Sequence, residues 1–219
     1  MKNLPLLFCG IFATLAFSWL GIVLTGHIQY GALEPTTAEL DPDTGAPVEG
    51  EPFHPPISPG LARQGRQVYI QMGCLYCHTQ QVRRKGYGSD YERGWGDRQS
   101  VARDYIRQDR VLLGSMRTGP DLMNVGERPY TADWRHKHLY NPRIVSKGST
   151  MPPFPFLYEK RELEDGQAPS PDALSLPPEH APEKGFEIVP TRRAEALVAY
   201  LMSLRLDYDL PEAKRTVDE

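Results

Sequence analysis

Three residues in the first half of the chain, Cys74, Cys77 and His78, form a Cys-x-x-Cys-His pattern. Two residues between the thiols let both sulfurs reach one edge of a porphyrin, as in c-type haem attachment, and the adjacent imidazole can then bind the iron. A dithiol redox site has little use for the histidine, and a zinc site needs a second Cys or His pair, which this sequence lacks. We therefore predict one covalent haem c, attached through Cys74 and Cys77, with His78 as an axial ligand.

The sixth position of the iron decides between electron transfer and ligand chemistry, and Met151 is the predicted second axial ligand. It lies in a Gly-Ser-Thr-Met-Pro-Pro segment, whose prolines stiffen a loop that can present the thioether across the haem. His136 and His138 are rival ligands, although they alternate with charged residues as solvated side chains do. The remaining alternative is that Met151 only packs in its loop, with another ligand or none.

Two amphipathic segments are expected to position these groups. Ser58, with a proline at the first helical position, predicts the start of a helix that Gly73 ends just before the haem motif. A second helix, capped by Thr191, carries an apolar stripe near the end of the chain. The small Gly65 would let Tyr200 of the second helix approach the first closely.

The chain begins with a long uncharged segment from Leu4 to Leu24. A helix of this length spans roughly 32 Å, against about 30 Å for a bilayer core, whereas the apolar part of a signal peptide has about 7–15 residues. Lys2 precedes the segment and acidic residues follow it, so the positive-inside rule places the rest of the chain outside the cytoplasm. We expect an uncleaved anchor, with a cleaved signal peptide as the alternative.

Composition defines the organisation of the remaining chain. The 219 residues have a formal net charge of −3, which offers no electrostatic footprint for nucleic acid. Residues 83–117 carry nine basic and five acidic groups (9 − 5 = +4), and 159–187 carry three basic and eight acidic groups (3 − 8 = −5), so opposite patches could orient a partner. The predicted divisions are a membrane anchor (1–33), a proline-rich linker (34–58), a haem domain (59–207) with an acidic proline-rich insertion (159–187), and a tail (208–219).

The order of these motifs resembles that of class I cytochromes c and, in more detail, the mono-haem O subunit of cbb-type cytochrome c oxidases. The likeness covers Leu61 to Leu157 and the anchor. Its clearest elements are Arg-Thr-Gly-Pro-Asp-Leu at 117–122, Asp-Trp at 133–134, Asn-Pro-Arg at 141–143 and Met-Pro at 151–152.

The resemblance implies a mostly α fold: a single N-terminal transmembrane helix followed by a class I cytochrome c-like haem domain with loop insertions. It implies that Pro120 lies on the proximal side, with a nearby carbonyl accepting the His78 ring proton. Leu122 would pack on the haem. The side chains that could meet the haem propionates are Arg117, Trp134 and Arg143.

These observations together predict an electron-transfer subunit without catalysis of its own. It would relay single electrons to the membrane-embedded catalytic haem-copper subunit, from another c-type cytochrome subunit or a soluble cytochrome. The expected location is the bacterial inner membrane, in contact with lipid, with the N-terminus cytoplasmic and the haem domain periplasmic. The alternatives are the small subunit of nitric oxide reductase, a free-standing anchored cytochrome shuttle, and a haem enzyme or gas sensor with an open iron site.

Overall fold

The computed structural model describes residues 3–216, and its first element is an apolar helix. This helix runs from Leu4 to Tyr30 over 27 residues, and it contains an 18-residue window with a mean hydropathy of 2.2, none of which is buried. Its length of about 40 Å and its composition are sufficient to cross a membrane. Lys2, on which the predicted orientation depends, lies outside the described residues. The helix consists of α1 (Leu4–Ser18), a π-helical stretch (Trp19–Leu24) and α2 (Thr25–Tyr30).

Two crossing helices, α3 (Gly60–Gln71) and α5 (Arg192–Ser203), form the centre of the remaining chain. A Cβ atom on Gly65 would lie 1.8 Å from the carbonyl oxygen of Ala196 and 2.7 Å from the Cβ of Tyr200. Only glycine therefore permits this crossing, and the predicted close approach of Gly65 and Tyr200 is confirmed. The ring of Tyr200 also meets that of Tyr69 edge-on, with a centroid distance of 5.5 Å.

The ends of these helices follow local capping rules. Helix α3 begins one residue later than predicted, because Pro59 takes the N-cap position with an extended ψ of 153°. Gly73 follows the helix at a φ of +72°, a conformation that glycine adopts without strain. The hydroxyl of Thr191 accepts a hydrogen bond from the Ala194 N–H at 3.3 Å, which confirms its predicted role as a cap.

Strands and short turns make up much of the remaining structure. Strands β1 (Tyr158–Glu162) and β2 (Phe186–Pro190) pair antiparallel, with Tyr158 opposite Pro190. Helical residues account for 36%, so the expectation of a mostly α fold is not confirmed and the architecture is mixed. Proline-rich connections explain this, because proline removes an N–H donor and interrupts helices. The remaining α-helix is α4 (Ala132–Tyr140). The 3-10 turns are Cys74–Tyr76, Ala102–Tyr105, Val125–Glu127, Pro142–Ile144 and Pro155–Leu157.

The buried side chains form two clusters. The larger one joins α3 and α5 to α4, β1 and β2. The smaller one includes Tyr208 and Leu210, so part of the predicted tail contributes to the core. The larger cluster contains Val68, Tyr69, Leu112, Leu122, Val125, Leu139, Leu157, Tyr158, Ile188, Ala194, Leu197, Val198, Tyr200 and Leu204.

The Arg98 cluster, which we define as Arg98, Asp104 and Tyr208, lies beside the smaller core. Arg98 is 1% exposed and donates to both carboxylate oxygens of Asp104, at 2.9 and 2.7 Å. The hydroxyl of Tyr208 donates to the same carboxylate at 2.9 Å, and its carbonyl accepts from the Arg98 Nε. Burial acts against the charge of Arg98, but the hydrogen bonds to Asp104 outweigh it and raise the pKa of the guanidinium.

The predicted linker, which we call the spacer (34–58), lies against the domain. Arg103 donates to the backbone carbonyl of Glu34 at the start of the spacer. The ring of His54 stacks on Tyr208 with a centroid distance of 4.3 Å, and Thr37 is fully buried. The spacer is therefore part of the folded structure, because its proline-rich backbone finds partners on the domain surface.

The predicted acidic insertion (159–187) contains most of β1, the whole of the long and largely exposed connection between the strands, and the start of β2. Glu187 is buried within it and accepts from the hydroxyl of Ser170 at 2.8 Å. Leu174 and Leu176 pack against the larger core cluster. These contacts attach an otherwise exposed segment to the domain.

Candidate haem-binding site

A tight turn after α3 presents the two cysteines differently. The N–H groups of Cys77 and His78 both donate to the carbonyl of Cys74, at 3.2 and 3.0 Å. Cys74 is half-buried and packs against the core, whereas Cys77 is exposed. Burial raises the pKa of the Cys74 thiol to about 11, so it is not a thiolate at neutral pH. Redox dithiols depend on a lowered thiol pKa, and the site therefore does not favour that chemistry.

The imidazole of His78 is held by a backbone carbonyl. Its Nδ1 lies 2.8 Å from the carbonyl oxygen of Pro120. A carbonyl can only accept, so Nδ1 carries the proton and Nε2 keeps a free lone pair for a metal. Burial lowers the pKa of His78 and outweighs the opposing hydrogen bond to Pro120, which favours the neutral ring that a metal needs.

The loop that carries Pro120 lies directly against the His78 ring. A Cβ atom on Gly119 would lie 2.2 Å from the His78 Cε1, so no other residue fits there without moving the imidazole. The Gly119 N–H donates to the carbonyl of Cys77 at 2.9 Å, and that of Leu122 donates to Thr79 at 2.8 Å. These bonds fix the loop to the haem motif on both sides of Pro120.

One cavity of about 630 Å³ brings Cys77, His78 and Met151 together. Pro120 and Leu122 also line it, whereas Cys74 does not. This volume falls within the range of about 300–1,000 Å³ that is usual for cofactor sites. The cavity wall is otherwise apolar over much of its area, with contributions from Val125, Leu139, Pro152 and Leu201.

Met151 reaches this cavity from a loop after α4. Gly148 takes a φ of +76° before it, and the Met151 N–H donates to the Ser149 hydroxyl at 3.3 Å. After it, the Phe154 N–H donates to the carbonyl of Leu139 at 2.9 Å. Hydrogen bonds on both sides of Met151 therefore hold the loop in place.

The two rival histidines are placed differently. His138 lines the cavity, and its Nδ1 has no hydrogen-bond partner among residues 3–216. Burial is the main cause that lowers the pKa of His138, to about 4, so its ring is neutral at pH 7. His136 does not line the cavity, and its Nδ1 lies 3.2 Å from the Tyr158 hydroxyl. His138 therefore remains a rival ligand to Met151 by position.

The three side chains that the resemblance assigns to the propionates are not brought together. Trp134 lines the cavity, stacked on Tyr130 at a centroid distance of 4.0 Å. Arg117 does not line it, because its guanidinium binds the buried carboxylate of Asp90 at 2.6 and 2.9 Å. Arg143 is exposed and also lies outside the cavity lining.

Sequence reasoning missed the exposed Arg93 and two arginines more withdrawn from solvent, Arg128 and Arg135, all three of which line the cavity. Arg135 is 3% exposed, although it lies in a charged segment that reads as solvated. A signal was available: the apolar Leu139 follows four residues later, so both side chains share one face of α4. The sequence offers no comparable signal for Arg128, which precedes a proline in a loop.

Comparison with known proteins supports the haem interpretation. The family model described as cytochrome c oxidase, mono-heme subunit/FixO, matches residues 51–170. This range is more than half of the chain and includes the haem motif, the Gly119–Pro120 loop and Met151. No curated protein matches the sequence significantly. The breadth of the family match and the motifs within it show that this chain belongs to the mono-haem subunit/FixO family of cytochrome c oxidase.

Proposed function

We propose that this chain binds one covalent haem c and relays single electrons to the catalytic subunit of a cytochrome c oxidase. The observation that carries the proposal is the single cavity lined by Cys77, His78 and Met151 in a member of a mono-haem subunit family. Bound haem c supplies reversible one-electron chemistry at its iron. The domain is then a class I cytochrome c-like haem domain attached to a membrane anchor.

The residues at the cavity fit this cofactor. Cys74 and Cys77 are free thiols and would form the two thioethers. His78 offers Nε2 because Pro120 accepts the Nδ1 proton. Gly119 has no side chain, so the His78 imidazole fits against its backbone.

The same residues suit electron transfer better than catalysis. His78 and Met151 would fill both axial positions, so no substrate needs to bind iron. A methionine ligand also raises the reduction potential, which suits a carrier late in a respiratory chain. Leu122 and the apolar residues around it would exclude water from the haem ring.

The location and partners follow from the anchor. The helix from Leu4 to Tyr30 would cross the bacterial inner membrane once, in contact with lipid, with the haem domain on the periplasmic side. Electrons would come from another c-type cytochrome subunit or a soluble cytochrome. They would leave to a membrane-embedded haem-copper subunit, which performs the oxygen chemistry.

Covalent attachment is tested by replacing both motif cysteines in the full-length chain, expressed in cells that mature c-type cytochromes. Cys74→Ala with Cys77→Ala should abolish haem that survives denaturing electrophoresis, whereas Cys9→Ala in the anchor should retain it. Mild detergent should extract the unmodified chain together with a larger copper-containing haem protein. A colourless unmodified chain, with both motif thiols open to alkylation, would contradict the proposal.

The sixth ligand is tested by comparing Met151→Leu with His138→Leu. If Met151 binds the iron, its replacement should abolish the absorption band of methionine-ligated ferric haem and let carbon monoxide bind the reduced protein promptly. If only the His138→Leu chain acquires prompt carbon monoxide binding, His138 is the ligand and the assignment of Met151 is wrong.

A further inference from the structure

The charged residues of the cavity wall are all of one sign. Four basic side chains line it, and no Asp or Glu among residues 3–216 does so. Elsewhere in the same domain, buried basic groups meet carboxylates, as Arg98 and Arg117 do. A wall with this charge is complementary to an anionic ligand. The four side chains are Arg93, Arg128, Arg135 and Lys147.

Two of these four side chains are withdrawn from solvent and incompletely bonded. Arg135 is 3% exposed, and its Nη2 donates to the carbonyl of Val125 at 2.6 Å. Arg128 is half-buried and donates to the carbonyl of Asp121. The Nε atoms of both arginines are buried without any hydrogen-bond partner in the part of the chain that the structure describes. Arg93 and Lys147 are exposed and can be satisfied by water.

Asp121, the acidic residue that acts on Arg128 electrostatically, does not form an ion pair with Arg128 or Arg135. The carboxylate of Asp121 favours the charged form of Arg128 but lies beyond ion-pair distance of both arginines. Its oxygens accept instead from the hydroxyl of Thr79, from the backbone N–H groups of Gln81 and Met123, and at 3.5 Å from Arg117, which does not line the cavity. Burial is the main cause that lowers the pKa of both arginines, as expected for guanidinium groups without an anion.

We propose that Arg128 and Arg135 are positioning residues that bind the two propionate carboxylates of the haem. The inference rests on the proposed haem function, and it assigns to these arginines the role that the resemblance suggested for Arg117 and Arg143. Guanidinium and carboxylate groups match as planar hydrogen-bonding partners, and the buried Nε atoms would gain the acceptors that they lack. Two cations beside the propionates also favour the reduced state of the iron, because they offset the negative charge that stabilises the oxidised state.

The test uses the full-length haem-loaded chain in detergent and measures its reduction potential spectroscopically. Arg128→Gln and Arg135→Gln should each lower the ratio of reduced to oxidised haem at a fixed applied potential by about tenfold, which is about 59 mV for a one-electron couple. Arg128→Lys and Arg135→Lys keep the charge and should restore most of the ratio. Arg63→Gln, at an exposed position outside the cavity lining, is the matched control and should leave it unchanged.

A second measurement separates propionate binding from a general effect on folding. The propionate bending modes in the resonance Raman spectrum should shift in both Gln variants and not in the control. The inference is overturned if the Gln variants match the control in potential and Raman modes, or if the Lys variants lose as much potential as the Gln variants. If a Gln variant does not fold, its Lys counterpart is decisive: a reduction potential close to that of the unmodified chain supports the inference, and a roughly tenfold lower ratio of reduced to oxidised haem contradicts it. Gln variants that bind haem with unchanged potentials and unchanged Raman modes contradict only this inference, whereas an unmodified chain without haem contradicts the proposed function itself.

Discussion

The Arg98 cluster and the cavity wall both bury arginine, but they treat its charge in opposite ways. Arg98 meets a buried carboxylate with two hydrogen bonds, and its pKa is raised. Arg135 is similarly buried, meets only a backbone carbonyl, and its pKa is lowered by burial. The first arginine is paired within the chain, and the second is not. Because leaving a buried charge unpaired costs several kcal/mol, the second arrangement favours the binding of an anion. The partner of a buried charge thus distinguishes a structural group from a ligand-binding one.

The largest expected effect comes from removing the partner in the complete arrangement. Asp104→Asn should lower the free energy of unfolding by about 3–5 kcal/mol, because Arg98 then becomes an unpaired buried charge. Denaturant unfolding of the detergent-solubilised chain measures this loss. The matched control is Glu212→Gln, which breaks the partly exposed ion pair with Arg103 and should cost no more than about 1 kcal/mol. Equal losses in the two variants would show that the buried carboxylate of Asp104 matters no more for stability than a partly exposed one.

A smaller effect is expected from a single hydrogen bond in the same cluster. Tyr208→Phe removes the hydroxyl that donates to Asp104 but keeps the ring that stacks on His54. Because the acceptor is charged, the free energy of unfolding should fall by about 1.5–3 kcal/mol, measured by the same denaturant titration. Tyr87→Phe, at an exposed ring, is the control and should have no measurable effect. A loss as large as that of Asp104→Asn would show that Tyr208 acts through more than this hydrogen bond.

The cavity should respond differently to a change of shape. Gly119→Ala places a methyl group where the His78 ring lies and should cost about 1–3 kcal/mol through overpacking. It should also change the reduction potential and the electron paramagnetic resonance spectrum of the haem, because the imidazole must turn. Gly60→Ala, where an added Cβ meets no atom within 4 Å, is the control. A stability loss with an unchanged spectrum would show that the loop yields instead of His78.

The smallest effect on stability is expected at exposed charges, which belong neither to the Arg98 cluster nor to the cavity wall. Arg83 is bound to Asp90 and Arg84 lies over the Tyr87 ring, whereas Lys85 is exposed and makes no ion pair among the residues that the structure describes. Lys85→Glu should change the free energy of unfolding by less than about 0.5 kcal/mol. If this basic surface orients an electron-transfer partner, the salt dependence of oxidase turnover should weaken.

The control for this surface is Lys184→Glu, the same charge change within the acidic insertion. It should leave the salt dependence closer to that of the unmodified complex. Identical salt dependence in the unmodified chain and in Lys85→Glu would show that residues 83–117 carry only solvated charge.

Features encoded by neighbouring residues were predictable from the sequence. The long apolar helix and the Thr191 cap depend on residue types at short spacing, and the Gly65 crossing depends on the apolar faces of two helices. The first residue of α3 was shifted by one position, because Ser58 and Pro59 are both plausible caps and only the backbone conformation decides between them.

Apart from the Gly65 crossing, features that depend on distant partners were not predictable. Arg117, Arg128 and Arg135 are the same residue type within a short stretch, yet only the folded chain determines which of them meets Asp90 and which meets the cavity. The attachment of the spacer to the domain was equally hidden, because its composition resembles that of a free proline-rich linker. Its hydrogen-bond partners lie far along the chain, as with Arg103 and Glu34.

The attachment of the spacer at Glu34 limits how far the folded domain can move from the apolar helix. Only residues 31–33 separate this point from the end of the apolar helix at Tyr30. Four residue-to-residue steps extend to at most about 14 Å, so the domain stays near the end of the apolar helix. If the helix crosses a membrane as proposed, so short a connection keeps the domain at that membrane. In the proposed electron relay, the donor would then reach the domain at the membrane.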